Sequence, residues 1–332
     1  MKQNLNVLVQ SSDFYCPFAG VMLTSLFENN KDVPKITVYY LGSNISDENM
    51  KKLNVLFQKY GREMIYIDGK QVDEMLRTYG TPMYRGSYSP YYKLFALDMI
   101  NDDIDQLLYI DSDIIINNSL KSITDIDLND KTLAMCYDLI SEKYKQKLGI
   151  TGGYYNTGVI LIDCKRWKEN KCCSQIIDHM KNVHASYPIV EQDMLNIIFN
   201  DSIQVLHLKY NLIADIMLYN DCDWVKSIYG IEKYYDRSTF DEALKSPAVI
   251  HCFAAVTNKP WYKNSGHPVS ELWDKYLKIS PWKDFAYLEG KLAFKRVVNR
   301  VMYKTLPKSL YAFGVRNITD ILLNIRLKKC GL

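Results

Sequence analysis

The stretch "LLYIDSDIIINNSL", residues 107 to 120, places two carboxylates inside an apolar run. Leu107 to Ile110 reads as the end of a buried strand, and Ile114 to Ile116 is equally apolar. In an extended segment residues i and i+2 share a face, so Asp111 and Asp113 are expected on one side. Two such charges about 5 Å apart, at an effective dielectric of about 20, repel by roughly 3 kcal/mol. Burial tolerates that repulsion if a proton is shared or a cation lies between. Oxygen ligands suit Mg2+ or Mn2+, whose shell is commonly completed by water and substrate phosphates. The D-x-D pairs at 103/105, 125/127 and 221/223 lie in polar turns or mixed loops, so context selects 111/113.

Other residue types suit the same chemistry. "NTGVILI" (156–162) sets Asn156, Thr157 and a backbone-permissive Gly158 at the entrance to a strand. "EQD" (191–193) puts Gln192 and Asp193 at a helix start, where either also serves as a cap. "VIHCF" puts His251 at the carboxyl end of a strand, followed by "NKPW" with Lys259 and Trp261. A His beside two Asp is sound first-row metal chemistry. A Lys nearby suits a phosphate. His207, in "VLHLKYN", reads as structural.

These residues need elements to position them. Strand signals at 5–9, 35–41 and 63–68 alternate with helical ones, "FAGVMLTSLFENN" and "SDENMKKLNVLFQKYG", the latter opening on Ser46 and stopping at Gly61. "PYYKLFALDMI" (90–100) reads as a helix leading to the acidic stretch. Such alternation implies a doubly wound, mainly parallel α/β sheet, with ligands at the carboxyl ends of its strands. Further on, 154–163, "IQVLHLKYN" and 247–253 read as strands, and 191–200 as a helix.

The 332 residues carry a net charge of only +3, too little to argue for nucleic acid. Residues 285–332 hold ten Lys/Arg against Glu289 and Asp320, or +8, leaving 3 − 8 = −5 for the remainder. Eight cysteines without a C-x-x-C spacing indicate free thiols in a reducing cytosol. The N-terminus does not read as a signal peptide, and no apolar run reaches the ~18–20 residues of a bilayer span. In the tail, 289–306 and 317–329 read as helices, with Ile318, Ile321, Leu322 and Ile325 on one face. A basic tail with an apolar stripe either docks peripherally on anionic lipid at the inner face of the plasma membrane or packs on the body.

Taken in order, these stretches resemble the family 8 glycosyltransferases, which include bacterial lipopolysaccharide and lipooligosaccharide galactosyl- and glucosyltransferases and glycogenin. The resemblance runs from about Leu5 to Trp261, through "SSDFY", "YYKL", "LLYIDSDIIINNSL", "YKQKLGI", "YYNTGVILID", "EQDMLN" and "HCFAAVTNKPW". It implies a GT-A fold; with no repeat, low-complexity tract or clear linker before about residue 283, the chain itself reads as a single domain, 1–282, followed by a basic helical extension, 283–332. It also implies a UDP-sugar donor, Mn2+ (or Mg2+), and transfer of galactose or glucose to a saccharide or lipid-linked glycan acceptor with anomeric retention. On that resemblance Asp111, Asp113 and His251 hold the metal, Lys259 meets the diphosphate, Lys93 the donor sugar, and Tyr15 stacks on uracil. Ser12, Asp13 and Ser112 join the substrate contacts, Asn156 and Thr157 flank the donor sugar, and Asp138 falls on the acceptor side. Gln192 lies near the anomeric carbon with Asp193 beside it; Gln192 is a weak nucleophile and Asp193 a better one, and the residues alone do not choose.

The chain departs from that pattern at two places. Ser12 stands where those enzymes usually carry an acid, and Phe14 replaces a frequent Asn. "HCFAAVTNKPW" is longer than their usual His-to-Lys segment, with Ala254-Ala255 where a glycine is common. Two rival readings are a sugar-phosphate nucleotidyltransferase, whose Gly-rich phosphate loop "VQSSDFYCPF" lacks, and a non-catalytic sugar-nucleotide binder.

Overall fold

Apolar runs that are buried on both faces, such as "NVLV" and "ITVYYL", fit a covered parallel sheet and nothing else in the chain's architecture. A computed structural model describes residues 4–84, 86–100, 103–183 and 187–331. Among the described residues ten strands run in chain order: β1 (Asn4–Ser12), β2 (Lys35–Ser43), β3 (Glu63–Asp68), β4 (Gln106–Ile110), β5 (Ile114–Ile116), β6 (Leu133–Tyr137), β7 (Tyr155–Asp163), β8 (Ile203–Val205), β9 (Leu212–Ile213) and β10 (Val249–His251). Seven form one sheet in the order β3-β2-β1-β4-β7-β6-β8. The pairings of β1, β2, β3 and β4 are parallel, as is β6 with β8, while β7 runs against both β4 and β6. The expected mainly parallel α/β sheet is therefore present, with β7 reversed. A second sheet of three strands has the order β5-β10-β9.

The second sheet changes the reading of the acidic stretch. β4 and β5 are not one strand with charges in its middle; a turn at Ser112 and Asp113 carries the chain from the large sheet to the small one. The i, i+2 alternation argument therefore does not apply there. Two further expectations are corrected. Residues 90–100 form 3-10 turns, Ser89–Tyr91 and Ala96–Met99, around the short helix Tyr92–Phe95 rather than one continuous helix. "IQVLHLKYN" is a strand only at β8; His207 then caps a 3-10 turn by accepting from the Lys209 N–H, which supports its structural reading.

Elsewhere the local signals act as expected. Ser46 Oγ accepts from the Asn49 N–H to open helix Asp47–Tyr60, and Gly61 at φ 59° closes it in the left-handed region. That helix buries Leu53, Leu56 and Phe57, the last against Phe27 of helix Cys16–Asn29. Helix Cys16–Asn29 is buried almost all round, between the sheet and helix Ser270–Ile279.

The tail folds as helices Phe294–Thr305 and Lys308–Lys329. The second begins well before Asn317; Gly314 is not a stop but a crossing point, where a Cβ would meet Met302 Cε at 2.7 Å. It packs Tyr311, Ala312, Leu323 and Leu327 on the body, while Ile318, Ile321 and Ile325 of the expected stripe face outward. Packing and an unpartnered apolar face thus coexist on one helix.

Gly20 tests how tightly the body is closed. An added Cβ there would meet the Trp282 ring at 2.1, 2.3 and 2.8 Å. Gly20→Ala gains about 0.5–1 kcal/mol of helix preference, but overpacking a core costs typically about 1–3 kcal/mol. The variant is expected to lose up to about 2 kcal/mol net, seen as a lower urea midpoint at unchanged slope.

Candidate functional site

The carboxyl end of β4 and the turn after it deliver Asp111 and Asp113 to the edge of the large sheet. Because β7 runs the other way, its first residues, Asn156 and Thr157, lie at that same edge. The Asp111 N–H donates to Gly158 O at 2.8 Å, locking the two strands together at the site. From the small sheet, β10 pairs antiparallel with β5 so that His251 stands opposite Ile114. The Cys252 N–H donates to Asp113 O at 2.9 Å, which fixes His251 beside the second aspartate.

Asp113 is the meeting point. Its Oδ1 lies 3.2 Å from His251 Nε2 and its Oδ2 2.7 Å from Lys259 Nζ. Burial opposes its charge, but Lys259 and then His251 outweigh that and hold the carboxyl well below the usual range. The imidazole responds in kind: burial would lower it, and Asp113 raises it. Gly158 makes the approach possible, since a Cβ there would stand 2.5 Å from His251 Cε1 and 2.6 Å from Nδ1.

Asp111 is tied to a second charged chain. Tyr109 donates to its Oδ1, and Lys93 Nζ lies 3.7 Å away. Lys93 is 6% exposed, sits over the Tyr109 ring, and pairs with Glu191 at 3.0 Å. Burial acts to lower the Lys93 ammonium, yet Asp111 and Glu191 raise it overall, so it stays charged. Lys93 also donates to Thr157 O and Oγ1.

Gln192, buried on helix Val190–Ile198, bridges Thr157 and Asp138. Its Oε1 accepts from the Thr157 N–H at 3.1 Å, and its Nε2 donates to Asp138 Oδ2 at 2.7 Å. Asp193 turns elsewhere. It is fully buried, accepting from Tyr144 OH, Tyr154 OH and the Ile189 N–H, and burial pushes its carboxyl up against those bonds. Asn156 Oδ1 accepts from the Gly158 N–H and from Asn211 Nδ2.

The first loop is more open. Ser12 is exposed and Ser112 half-buried in its turn. Tyr15 is 43% exposed, and its hydroxyl is pushed up by burial and then by Asp113, which locates the ring near the site. Asp13 is occupied otherwise, accepting from the Ser46 N–H and Asn49 Nδ2 at 2.8 Å each. Glu191, one of the two carboxylates that "EQD" clusters at a helix start, was given no role of its own in the sequence reading. Asp215 also escaped it, a lone acid in "NLIADIML" that is buried beside the loop bearing Lys259.

Asp111, Asp113 and His251 offer ligand atoms that all lie within 4.8 Å of one another. Two carboxylates and an imidazole fit a divalent first-row cation, and His251 Nδ1 is buried with no partner.

The model of glycosyl transferase family 8 matches residues 6–265, most of the chain. The chain belongs to glycosyltransferase family 8. It is therefore an enzyme of the sugar-transferring class. A lipopolysaccharide 1,2-glucosyltransferase of Escherichia coli is 26% identical over 318 residues, covering 92% of this chain and 86% of that protein. General stress protein A of Bacillus subtilis is 24% identical, covering 84% and 94%. Among solved structures, the galactosyltransferase LgtC in complex with donor and acceptor sugar analogues superposes with a TM-score of 0.64 at 23% identity, covering 83% of this chain and 96% of that one. That likeness establishes the GT-A fold of this family 8 glycosyltransferase.

Gly158→Ala drives a methyl into the His251 ring and is expected to weaken any divalent-cation binding at Asp111, Asp113 and His251 by about 10–100-fold, with Mn2+ as the probe. Titration of free Mn2+ by electron paramagnetic resonance measures this, with far-UV circular dichroism expected to stay unchanged.

Proposed function

We propose that this glycosyltransferase moves a hexose, galactose or glucose, from a UDP-sugar to a saccharide acceptor of a surface glycan, retaining the anomeric configuration. The observation that carries the reading is the convergence of Asp111, Asp113 and His251, with Lys259 on the same carboxylate. These three residues would hold Mn2+ or Mg2+. Bound there, the cation supplies Lewis-acid neutralisation of the charge on the departing diphosphate. Lys259 adds a second positive charge that requires no proton transfer.

The other residues orient the substrate. Tyr15, which is exposed, offers a ring for uracil to stack on, and Ser12 and Ser112 offer hydroxyls to the substrate. Asp13, by capping the neighbouring helix, fixes the loop from which Tyr15 projects. Lys93, Asn156 and Thr157 present polar groups to the donor sugar. Gln192 lies between Thr157 and Asp138, which suits the face where the anomeric carbon and the acceptor meet. Asp193 has every near oxygen position occupied by Tyr144, Tyr154 and the Ile189 N–H, so its role is to anchor the helix that carries Gln192. With Asp193 so engaged, the same-face route is favoured. In it the bond from anomeric carbon to UDP breaks, the acceptor oxygen bonds on the same face, and the acceptor proton passes to a diphosphate oxygen.

The tail supports an acceptor presented at a membrane. No described helix is long and apolar enough to cross one. Phe294, Val301, Phe313, Ile321 and Ile325 are nonetheless exposed on helices rich in Lys and Arg, the composition of a surface that rests on anionic lipid at the cytoplasmic face.

Two experiments test this reading. Asp113→Ala is expected to cut Mn2+-dependent UDP release from UDP-glucose or UDP-galactose by about 100-fold or more while the protein stays folded; surviving turnover, or an inverted product by anomeric NMR, counts against it. For the tail, co-sedimentation with phosphatidylglycerol vesicles should fall severalfold in Phe313→Ser/Ile321→Ser, and binding unaffected by these changes removes the membrane part.

A further inference from the structure

The segment from Cys252 to Asn258 joins His251 to Lys259 without regular structure. Its course decides where the Lys259 ammonium sits relative to Asp113. Two anchors near its start come from the body. The Cys252 N–H donates to Asp113 O, and His267 Nε2 lies 3.2 Å from Phe253 O. The middle of the segment is held at Ala255, from both sides. Its N–H donates to Asp215 Oδ2 at 2.7 Å, and its carbonyl accepts from Asn299 Nδ2 at 3.1 Å.

Asp215 belongs to the body, but Asn299 belongs to the tail helix Phe294–Thr305. That helix has no buried residue, so a polar contact inward from it stands out. The amide is held in one orientation. Tyr311 of the last helix, fully buried, donates to Asn299 Oδ1 at 3.0 Å, which turns the Nδ2 donor toward Ala255. Tyr311 OH in turn lies 3.1 Å from Tyr219 OH, inside an aromatic group with Trp224 and Tyr303. Asp215 is a buried carboxylate whose Oδ1 has no partner. Burial pushes it up to about 7, opposed by the Ala255 N–H and by the charges of Lys259 and Arg296. It therefore stands within the field of both the site lysine and the tail.

We propose that Asn299, oriented by Tyr311 and working with Asp215, is a positioning residue that holds the Ala255 segment so that Lys259 meets the donor diphosphate. The basic tail is then part of the donor site. This inference rests on the UDP-sugar reading above. It also accounts for a departure of this chain: a longer His-to-Lys segment with Ala254-Ala255 has more freedom to lose, and a contact from the tail removes it.

The test uses the full chain. Asn299→Asp is isosteric but has no donor for the Ala255 carbonyl, and Asn299→Ala removes the group. Both are expected to raise KM for the UDP-sugar, and Kd for UDP with Mn2+ by calorimetry, about 3- to 10-fold, the worth of one hydrogen bond. The turnover number at saturation should fall as well, by no more than the same factor, because Lys259 also neutralises charge on the departing diphosphate. Tyr311→Phe should shift KM in the same direction by less. Hydrogen exchange of the 252–259 segment should quicken in Asn299→Asp. A wild-type KM and Kd in Asn299→Asp overturns the inference, whatever the variant's stability, as does a fall in turnover number without a rise in KM. A wild-type protein that binds no UDP overturns the donor reading and this inference with it, so the two failures are told apart by the wild-type titration.

Discussion

Asp113 must stay ionised while largely removed from water, and the cleft is arranged to meet that constraint. A buried charge without partners costs several kcal/mol, typically about 3–5 when one member of a pair is lost. His251 and Lys259 supply the partners, and each arrives by a different route. His251 comes from the small sheet, through the β5–β10 register. Lys259 comes from an irregular segment that the body and the tail hold jointly. Removing the Cβ at Gly158 is what lets the imidazole close on the carboxylate without displacing β7.

The reversal of β7 has the same logic at the scale of the sheet. Parallel strands deliver only their carboxyl ends to a common edge. A reversed strand adds its amino end, and with it Asn156 and Thr157, between Asp111 and Gln192. Glu191, Gln192 and Asp193 then show how one helix serves three needs. Successive residues point about 100° apart. Glu191 meets Lys93, Gln192 spans Thr157 and Asp138, and Asp193 binds two buried tyrosines.

Much of this was legible in the residues. Two acids between apolar runs break the expected pattern, and a His followed by a Lys in "NKPW" completes a plausible ligand set. Ser46 and Gly61 mark a helix because their roles are local. Less legible was anything that depends on which sheet a strand joins. "LLYI" and "IIIN" read alike, yet they belong to different sheets, and only long-range pairing decides that. The neighbouring residues of "EQD" looked like one functional unit because sequence spacing does not show direction. Asn299 carried no signal at all, since an Asn in a basic helix is ordinary until its partner is placed.

The charges of the cleft also nearly cancel before any substrate arrives. Asp111, Asp113 and Glu191 stand against Lys93, Lys259 and an imidazole whose proton affinity is raised. Such a cleft has strong local fields and little net attraction for a lone ion. A lone anion must first draw Lys259 from its carboxylate, and a lone cation must displace the same ammonium. A group that brings both signs together, spaced as the cleft already spaces them, exchanges these partners instead of breaking them.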